Sequence, residues 1–290
     1  MNSLICGSGF GLYGYLPAIY KFSSKIYLNK KYKILYNLRN ELTKYESKII
    51  WYENINNLIH KIDYLIIAKR PKDQLRIIKS LLKKHNNIKH FFLEKPIALN
   101  PKKSLELLKI FNKKKINYSF GFLFEYVNWT KLINNKIKKK NQNKITIKWN
   151  IKKNLNISTS WKYNFNNGGG ILRYYGIHFI KLFSDLNFNN ITKNVLKKDY
   201  WEFKIKDEKN NSIRLLLKYS NISNFSYKIN NRKLTKIHSP FFDKIDHKLI
   251  DPRCFFLKKY IRKNLFNYND NFFNMKKFIN LWHTIEINKK

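Results

Sequence analysis

Glycine is scarce in this chain, and its placement points to the residues that could do chemistry. Only 9 of the 290 residues are glycine, which is about 3%, against a usual share of roughly 7%. Eight of the nine fall in two short windows, which contain Gly7, Gly9, Gly11 and Gly14, and then Gly168, Gly169, Gly170 and Gly176. Glycine is needed where the backbone adopts positive φ or where another group approaches it closely. Both windows are therefore candidates for ligand binding or tight packing.

The first window has a spacing that suits a phosphate group. Gly7, Gly9 and Gly11 form a Gly-x-Gly-x-Gly run directly after the predicted strand Ser3–Cys6 and before a predicted helix that continues to about Phe22. In such a loop the first glycine permits a tight turn and the second lets backbone N–H groups approach a pyrophosphate. The helix N-terminus then adds partial positive charge.

The predicted cofactor-binding residues in this loop are Gly7, Gly9, Phe10, Gly11 and Leu12. Leu12 occupies the third glycine position of the usual Gly-x-Gly-x-x-Gly pattern, so we expect a small shift in helix–strand packing. A plain glycine turn with no ligand is the alternative interpretation.

The residues after the second strand bear on the choice between NAD and NADP. An NAD site usually offers a carboxylate to the ribose hydroxyls there, whereas an arginine accommodates the 2′-phosphate of NADP. We predict the second strand at Lys33–Tyr36, and no carboxylate follows it before Glu41. Arg39 therefore favours NADP over NAD as the cofactor, and the alternative is that Arg39 is one more solvated cation.

The elements that must position these residues alternate between strand and helix over the first 120 residues. Asp63–Ala68 is a nearly continuous apolar run, which is typical of a buried parallel strand, and His90–Leu93 and Ile116–Phe120 predict two more. Strand–helix alternation at this spacing implies a parallel sheet with right-handed crossovers.

The pattern changes after about residue 121. A strand is predicted at Lys144–Asn150, and antiparallel strands are predicted at Trp201–Lys206, Ser212–Tyr219 and Phe225–Ile229. Helices are predicted at Leu172–Leu186, Phe255–Leu265 and Phe272–Ile285. The chain therefore has material for two domains, which we place at residues 1–120 and 121–290.

Three further segments carry a resemblance to a known family. Residues 67–71 (Ile-Ala-Lys-Arg-Pro) are similar to a strand-end Ala-Thr-Pro-Pro loop, and residues 93–98 (Leu-Glu-Lys-Pro-Ile-Ala) match a Glu-Lys-Pro-x-Ala signature. Residues 168–178 resemble a Gly-Gly-Gly-x-Leu-x-Asp-x-Gly-x-His segment. With the glycine loop, and in this order across about residues 1–185, they resemble the glucose–fructose oxidoreductase and inositol dehydrogenase family (Gfo/Idh/MocA).

The resemblance implies an α/β fold with two parts. The first is an N-terminal Rossmann domain with a doubly wound parallel sheet, and the second is a C-terminal α+β domain with an open, mainly antiparallel sheet. It also implies an NAD(P) cofactor bordered by Ala68, Arg70 and Glu94. A small-molecule carbohydrate is the implied substrate, and a homo-oligomer through the open sheet is the implied assembly.

The resemblance assigns catalytic roles to two residues. Lys95 is similar to a lysine that contacts both the nicotinamide ribose and the substrate hydroxyl, and the bond to the following proline is often cis in that family. His178 is similar to the family's acid–base histidine. Hydride leaves a carbinol carbon only as its hydroxyl proton is removed, so a histidine and an ammonium suit this chemistry. An exposed Glu94–Lys95 pair and a core His178 are the alternatives.

The chain departs from the family pattern at two places. Tyr174 stands where the family has its catalytic aspartate, and Gly121 begins the segment where the family has a strand-end arginine. A phenol has a reference pKa near 10, so it is a poor base at neutral pH but a usable hydrogen-bond donor or acid. We expect Tyr174 to act with His178 and Lys95 in reduction; the alternative is loss of the usual dehydrogenation chemistry.

The net charge of +41 has a composition-based explanation. The chain contains 59 Lys and Arg against 18 Asp and Glu, and it is rich in residue types with AT-rich codons, namely Lys, Asn, Ile, Phe and Tyr. Because the lysines are scattered along the chain, we expect nonspecific, salt-sensitive attraction to anions and no specific nucleic-acid partner. Two distant cysteines predict neither a disulfide nor a metal site and favour a reducing cytoplasm. No membrane span is predicted.

Three functional hypotheses remain at this point. The leading one is a cytoplasmic NAD(P)-dependent oxidoreductase that acts on a sugar, a sugar acid or a sugar nucleotide. The second, suggested by Tyr174, is a catalytically silent nucleotide-binding or scaffold protein on the same fold. The third, motivated by charge alone, is a nucleic-acid binder.

Overall fold

The chain folds into two compact units in the computed structural model, which describes residues 1–83, 88–139, 142–153, 160–241, 251–266 and 272–288. The first unit comprises Met1–Ala98, Glu106–Gly121 and Asp246–Asn271. The second comprises Leu99–Leu105, Phe122–Ile245 and Phe272–Lys290.

The first unit contains a six-stranded parallel sheet with the order β3-β2-β1-β4-β5-β6. Its strands are β1 (Asn2–Cys6), β2 (Lys25–Asn29), β3 (Ile49–Tyr52), β4 (Tyr64–Ile67), β5 (His90–Leu93) and β6 (Tyr118–Phe120). Most of their residues are buried, as expected of parallel strands covered on both faces. The strand order reverses between β1 and β4, and ligands of open α/β sheets bind at the carboxyl ends of strands at such a switch point.

The helices of this part of the chain are short near its start and longer further on. They are α1 (Leu16–Ile19), α2 (Lys33–Asn37), α3 (Pro71–Leu82) and α4 (Pro101–Lys113). A π-helical turn, Gly11–Tyr15, leads into α1, and a 3₁₀ turn, Tyr20–Phe22, follows it. The predicted helix after the glycine loop is therefore present, and it opens with wider turns than an α-helix.

The prediction of the second strand was wrong. Lys33–Tyr36 lies in helix α2, where Ile34 is 75% exposed, and the strand is Lys25–Asn29. Ile26 and Leu28 are fully buried and pair with Ser3 and Ile5 of β1. Both segments are short and contain apolar residues, so their local patterns did not distinguish them; burial between β1 and β3 selects Lys25–Asn29.

The second unit contains a mixed sheet with the order β12-β11-β7-β10-β9-β8. Its strands are β7 (Lys144–Lys152), β8 (Asn190–Lys197), β9 (Tyr200–Lys206), β10 (Ser212–Ser220), β11 (Asn224–Ile229) and β12 (Thr235–Ile237). Four of the five strand pairs are antiparallel, and β7 and β10 pair in parallel at its centre. The predicted fold class, a doubly wound parallel sheet followed by an open and mainly antiparallel one, is confirmed.

Helices cover one face of this second sheet. They are α5 (Asn128–Lys139), α6 (Ile177–Asp185) and α8 (Phe272–Ile287). Trp129 of α5 packs against Phe225 of β11, and Phe183 of α6 stacks on Phe203 of β9. The amide of Asn194 donates to the carbonyl of Ile285, which fastens β8 to α8.

The other face of the second sheet is open and basic. Exposed cations project from four neighbouring strands, and they are Lys144, Lys148, Lys152, Lys204, Arg214, Lys218 and Lys228. Glu202 lies among them, and its contacts with Lys193, Tyr200 and Arg214 lower its pKa to about 2. Association of two copies through this face would oppose like charges, which is unfavourable at low salt. The homo-oligomer stays a prediction.

The last part of the first unit is helix α7 (Arg253–Phe266). The hydroxyl of Tyr260 on this helix donates to Ser119 Oγ of β6, which in turn lies 2.8 Å from His90 Nε2 of β5. From the sequence we expected one division of the chain, between residues 120 and 121. That expectation did not place helix α7 in the first unit, because the placement depends on a contact between residues 141 positions apart.

The described residues contain neither a membrane-spanning helix nor a metal-binding group of side chains. None of the helices in the described ranges is both long and apolar enough to cross a membrane. Within the same ranges, His, Cys, Asp and Glu side chains do not gather in groups of three that would hold a metal ion.

Candidate active site

The glycine loop packs directly against the segment after β4. Gly7 has a φ of 154°, and a Cβ atom there would lie 2.3 Å from the carbonyl oxygen of Ala68. The backbone N–H of Ala68 also donates to the carbonyl of Cys6 at 2.9 Å. Two of the predicted cofactor motifs therefore meet, and only glycine fits at the contact.

The next glycine of the loop faces open space. A Cβ atom added at Gly9 would meet no atom within 4 Å, whereas one at Gly11 would lie 3.1 Å from the Ile5 side chain. Leu12, at the place of the missing third glycine, is 1% exposed and fills the core below the loop. The loop thus combines a packed underside with an accessible backbone at Gly9, which fits the approach of a pyrophosphate.

Phe10 places an aromatic ring beside this loop. The ring lies edge-on to Tyr13 and Tyr15, with centroids 5.6 Å apart in each case. The guanidinium of Arg253 lies 4.2 Å from the Phe10 centroid, within cation–π range, and Asp251 holds it through two contacts of 3.0 and 2.7 Å. Arg253, from the returning helix α7, therefore brings a cation to the glycine loop that the sequence motifs did not indicate.

The Glu94–Lys95–Pro96 segment is fixed by a buried glutamine. The side-chain amide of Gln74, on α3, donates to the carbonyls of Glu94 and Ile97, and its oxygen accepts from the Glu94 N–H at 3.1 Å. The Lys95–Pro96 peptide bond is cis, as the resemblance implied. Gln74 was not predicted, because its position in α3 reads as an ordinary polar helix residue.

The Glu94 carboxylate faces inward rather than toward solvent. Its Oε1 accepts a hydrogen bond from the Tyr15 hydroxyl at 2.8 Å. Burial raises the pKa of Glu94, while the nearby Lys95 ammonium acts in the opposite direction. A Cβ atom at Gly121 would lie 2.7 Å from Glu94 Oε1, so the glycine that stands in place of the strand-end arginine leaves room for the Tyr15–Glu94 pair.

A cleft of about 600 Å³ opens beside the carboxyl end of β2. Its lining includes Asn29, Lys31, Tyr32, Lys69 and Arg76. The ammonium groups of Lys31 and Lys69 lie 5.7 and 5.1 Å from the Tyr32 ring centroid. This is the side of a doubly wound sheet where the ribose of a dinucleotide lies.

The residues at the end of β2 carry positive charge. Asn29 is followed by Lys30 and Lys31, and the nearest carboxylate that lines the cleft is Glu53, after β3. Lys30 pairs with Glu53 at 2.7 Å. Positive charge, which we expected from Arg39, is therefore present at the end of β2, and lysines supply it.

Arg39 itself lies ten residues beyond the end of β2. It follows helix α2, its guanidinium lies 5.0 Å from the Tyr13 ring centroid, and it pairs with Glu41 at 3.8 Å. Arg70, the other predicted cation, is exposed at the residue that precedes α3. Arg39 is thus further from the second strand than expected, because that strand is Lys25–Asn29, and its contact with the cofactor stays a prediction.

The second glycine window builds a tight turn in the second unit. Gly168 and Gly170 both have a φ of 81°, and a Cβ atom at Gly169 would lie 2.1 Å from the carbonyl oxygen of Trp161. A Cβ atom at Gly176 would lie 2.6 Å from the Trp201 ring. These glycines therefore bring the chain close to its own backbone and core.

The residues that follow this turn form a π-helical turn, Ile171–Gly176, that runs into α6. Arg173 fastens it, because its guanidinium makes two contacts of 2.6 Å with the Glu286 carboxylate of α8. Both side chains of this ion pair are about nine-tenths buried. This ion pair therefore holds the segment that carries Tyr174 and His178 against α8.

Tyr174 lies among aromatic rings. Its centroid is 5.4 Å from that of Trp161 and 4.7 Å from that of Tyr175, both edge-on, and the Lys162 ammonium lies 5.5 Å from it. Its side chain is partly exposed. The position that holds an aspartate in the family therefore lies in an aromatic surrounding in this chain.

His178 is buried at the start of α6. It is 4% exposed, stacks on Phe124 with centroids 4.9 Å apart, and contacts Phe122 and Phe241 edge-on. A cavity of about 240 Å³ between α5 and α6 also reaches it. Lys95 belongs to the first unit, and Tyr174 and His178 belong to the second.

Comparison with known proteins gives a family for the first part of the chain. Residues 1–122 match the model of the Gfo/Idh/MocA family, an oxidoreductase family with an NAD-binding Rossmann fold. No curated protein sequence matches. The match confirms the resemblance drawn from the motifs and the predicted class, an NAD(P)-dependent oxidoreductase.

Solved structures with the same fold cover nearly the whole chain. The WlbA (WbpB) dehydrogenase of Thermus thermophilus, in complex with NAD and UDP-GlcNAcA, is 13% identical, with a TM-score of 0.69 over 97% of this chain and 92% of that one. KijD10, a 3-ketoreductase of Actinomadura kijaniata in complex with NADP, is 10% identical, with a TM-score of 0.71 over 100% and 97%. A myo-inositol dehydrogenase of Corynebacterium glutamicum is 11% identical, with a TM-score of 0.67 over 100% and 96%.

Proposed function

Because residues 1–122 belong to the Gfo/Idh/MocA oxidoreductases, we propose that this chain transfers a hydride between a nicotinamide dinucleotide and a hydroxyl or carbonyl carbon of a sugar, a sugar acid or a sugar nucleotide. The observation that carries the proposal is the glycine loop. Gly7 is packed against Ala68 while Gly9 opens to space that no protein atom within 4 Å fills. Among the proteins that share the fold, the WlbA (WbpB) dehydrogenase was crystallised with NAD and UDP-GlcNAcA, a sugar nucleotide, and another is a myo-inositol dehydrogenase.

The cofactor-binding roles fall to the first unit. The backbone at Gly9 and Gly11 would hold the pyrophosphate, and the cleft beside Asn29 and Lys31 would hold the adenosine end. Bound nicotinamide supplies or accepts the hydride. Ala68 packs against this loop, Arg70 precedes α3 and Glu94 follows β5, and we propose that all three contact the cofactor.

The chemical roles are those of an ammonium, an imidazole and a phenol. Lys95 stabilises negative charge that develops on the substrate oxygen. His178 holds the proton of the substrate hydroxyl and moves it as the carbon is oxidised or reduced. Tyr174 donates a hydrogen bond to the carbonyl oxygen, which suits reduction better than oxidation because a phenol is a weak base near neutral pH.

NADP is the cofactor that the charge of the cleft favours. Lys31, Lys69 and Arg76 line the cleft, and the one carboxylate that also lines it, Glu53, is already paired with Lys30. A 2′-phosphate adds two negative charges at this end of the dinucleotide, and it would meet cations there. Lys31 would therefore pair with the 2′-phosphate, a role that the sequence had suggested for Arg39.

The first test is a titration of the purified protein with NADPH and with NADH at about 0.15 M salt, near the physiological range, followed by the fluorescence of the reduced nicotinamide. We expect saturable binding of both, tighter for NADPH. A folded sample that binds neither would contradict the proposal. Turnover is then sought with a panel of sugars, sugar acids and sugar nucleotides.

A second candidate function is a catalytically silent nucleotide-binding protein on the same fold. It is favoured by the aromatic surroundings of Tyr174 and by the packing of His178 against Phe122, Phe124 and Phe241. Bound NADPH that no member of the panel oxidises would support it. Turnover that is abolished in His178→Ala and reduced in Tyr174→Phe would exclude a catalytically silent protein. A Tyr174→Phe variant with unchanged turnover would instead show that Tyr174 has no part in the mechanism.

A further inference from the structure

The open face of the second sheet collects cations that are scattered along the sequence. Its positions alternate along each strand with the buried positions that the helices cover, and about half of them are Lys or Arg. In the whole chain these two residue types account for 59 of 290 residues. We call this surface the basic face, and its cations are Lys144, Lys148, Lys152, Lys193, Lys197, Lys204, Lys206, Arg214, Lys218, Lys228 and Lys236. Charge that is diffuse in the sequence is thus concentrated on one surface.

Four of these cations form a row across five neighbouring strands. Lys193 of β8 pairs with Lys204 of β9, and Lys204 pairs with Arg214 of β10. Thr146 of β7 continues the row, since it pairs with Arg214 on one side and with Lys228 of β11 on the other. Neighbouring strands are about 4.8 Å apart, so the row is about 19 Å long. Like charges directly opposite each other destabilise a sheet, and an anion that binds along the row would relieve this repulsion.

One carboxylate compensates part of the charge. Within the six described strands, Glu202 is the one acidic residue at an open-face position. It lies 2.6 Å from the Lys193 ammonium and 2.7 Å from the Arg214 guanidinium. The other cations of the basic face pair with no carboxylate of the described residues, and they include Lys148, Lys204, Lys218 and Lys228. Most of the charge is therefore available to an external anion.

The shape and the polar groups of the basic face fit the backbone of a nucleic-acid duplex. Adjacent strands of a sheet are rotated by about 20–25°, so six strands turn the surface by roughly 100°. Such a surface follows a helical phosphate backbone better than a planar bilayer. The half-buried Thr146, Asn150 and Ser212 stand between the cations, and short polar side chains of this kind donate to phosphate oxygens.

The face offers little for reading bases or for contact with an apolar partner. Among the open-face positions of the six strands, Tyr200 is the one aromatic residue, and its hydroxyl donates to Glu202 at 2.9 Å. Unpaired bases stack on aromatic rings, so this face lacks the platform that single strands use. A second copy of the chain would place cations against cations. The observations therefore favour a partner that presents phosphates at regular intervals.

We infer that the basic face binds the phosphate backbone of a double-stranded nucleic acid without sequence preference. A duplex carries one negative charge per about 1.7 Å of its axis, so several phosphates lie within reach of the row. The inference goes beyond the proposed oxidoreductase function and does not depend on it. The glycine loop belongs to the first unit, and the basic face belongs to the second.

The test measures the salt dependence of binding. A short, fluorescently labelled DNA duplex of mixed sequence is titrated with the full chain between about 0.05 and 0.3 M salt, and anisotropy is followed. The slope of log affinity against log salt is about −0.9 for each phosphate neutralised on DNA, so contact by about six cations should give a slope of about −5. A duplex of a second, unrelated sequence should give the same slope. No binding, or a slope weaker than about −2, would overturn the inference.

A triple variant removes three unpaired cations of the basic face. Lys204→Gln, Lys218→Gln and Lys228→Gln together should reduce the slope by about 3 and weaken binding about 100-fold at about 0.1 M salt. All three side chains are exposed, so the fold should be retained. Circular dichroism and the melting temperature check this.

A matched control loses the same charge elsewhere. Lys79→Gln, Lys109→Gln and Lys113→Gln change three exposed lysines on helices α3 and α4. This control should bind the duplex nearly as tightly as the wild type. Equal weakening in the two triple variants would assign binding to total charge and overturn the inference.

Glu202→Gln changes the basic face in the opposite direction. It releases Lys193 and Arg214 from their shared carboxylate, so the duplex should bind about tenfold more tightly. Glu46→Gln removes an exposed carboxylate of the first unit and should leave the affinity nearly unchanged. Equal effects of the two substitutions would contradict the assignment to this face.

Three further measurements exclude other sites and occupants. Saturating NADPH should not displace the duplex, and displacement would place it in the cleft at the end of β2 and overturn the inference. Phosphatidylserine vesicles that bind as tightly as the duplex would overturn it as well. So would sedimentation that finds a dimer which the triple variant Lys204→Gln, Lys218→Gln and Lys228→Gln converts to monomers. Duplex binding without NADPH binding would contradict the proposed function and support this inference.

Discussion

The two glycine windows look alike in the sequence and serve opposite purposes in the structure. In the first, Gly9 leaves the backbone bare, with no atom within 4 Å of where its Cβ would be. In the second, Gly169 and Gly176 are covered by the chain itself, at 2.1 Å from a carbonyl oxygen and 2.6 Å from an indole ring. A chain poor in glycine thus has it both where the backbone is left open and where the protein packs against itself.

Gly169→Ala should have the largest effect. Its methyl group would strike the backbone of Trp161, which cannot rotate away as a side chain does. We expect a loss of about 3 kcal/mol or more in the free energy of unfolding. Gly9→Ala should stay within about 0.5 kcal/mol of the wild type. Urea denaturation followed by tryptophan fluorescence measures both, and equal losses would remove the contrast between the windows.

Acid should destabilise the first unit through His90. Burial lowers the pKa of His90 from 6.5 to about 4, so between these values the unfolded chain binds a proton that the folded one does not. The stability is complete above about pH 6.5 and falls by roughly 3 kcal/mol as the pH drops to 4. Denaturation at several pH values measures this slope.

Two histidine variants check the assignment of that slope. His90→Gln should remove much of it, and the exposed His60→Gln should leave it unchanged. A slope that persists in His90→Gln would assign the acid sensitivity elsewhere.

Gly9→Asp tests the open window directly. A carboxylate at this position repels a pyrophosphate and blocks the bare backbone, so NADPH affinity should fall about 100-fold, which is roughly 2.7 kcal/mol. The melting temperature should hardly change, because the side chain enters open space. Retained NADPH binding in a folded Gly9→Asp protein would end the assignment of this loop.

Lys31→Ala should have the smallest effect. It removes one cation of the cleft at the end of β2, so NADPH should bind about tenfold more weakly, or roughly 1.4 kcal/mol, while NADH binding stays the same. Lys25→Ala, at the other end of β2, is the matched control. A Lys31→Ala variant that weakens NADPH and NADH equally would show that Lys31 does not read the 2′-phosphate.

The fold and part of the candidate site were predictable because their signals are local. The apolar runs of β4 and β5 were recognised because both faces of these strands are buried. The glycine loop and the Glu94–Lys95–Pro96 segment were recognised because short motifs fix backbone shape. By contrast, the prediction of β2 failed, and with it the position of Arg39, since two short apolar segments compete for one place beside β1.

Other parts of the site depend on contacts that no local pattern shows. Gln74 holds the Glu94 backbone across 20 residues, and Tyr15 meets Glu94 across 79. Arg253 reaches Phe10 from the far end of the chain. Each of these side chains is an ordinary helix residue in its own segment, and only packing gives it a role.

The sequence by itself determined the change from a parallel to a mainly antiparallel sheet, the glycine loop, and the match of residues 1–122 to a family model. Tertiary structure decided which strand lies beside β1, that helix α7 joins the first unit, and that lysines rather than Arg39 line the cleft beside the end of β2. It also decided that Tyr174 lies edge-on to the rings of Trp161 and Tyr175. The physical reason is that backbone conformation follows from neighbouring residues, whereas burial and charge pairing are set by residues far apart in the chain.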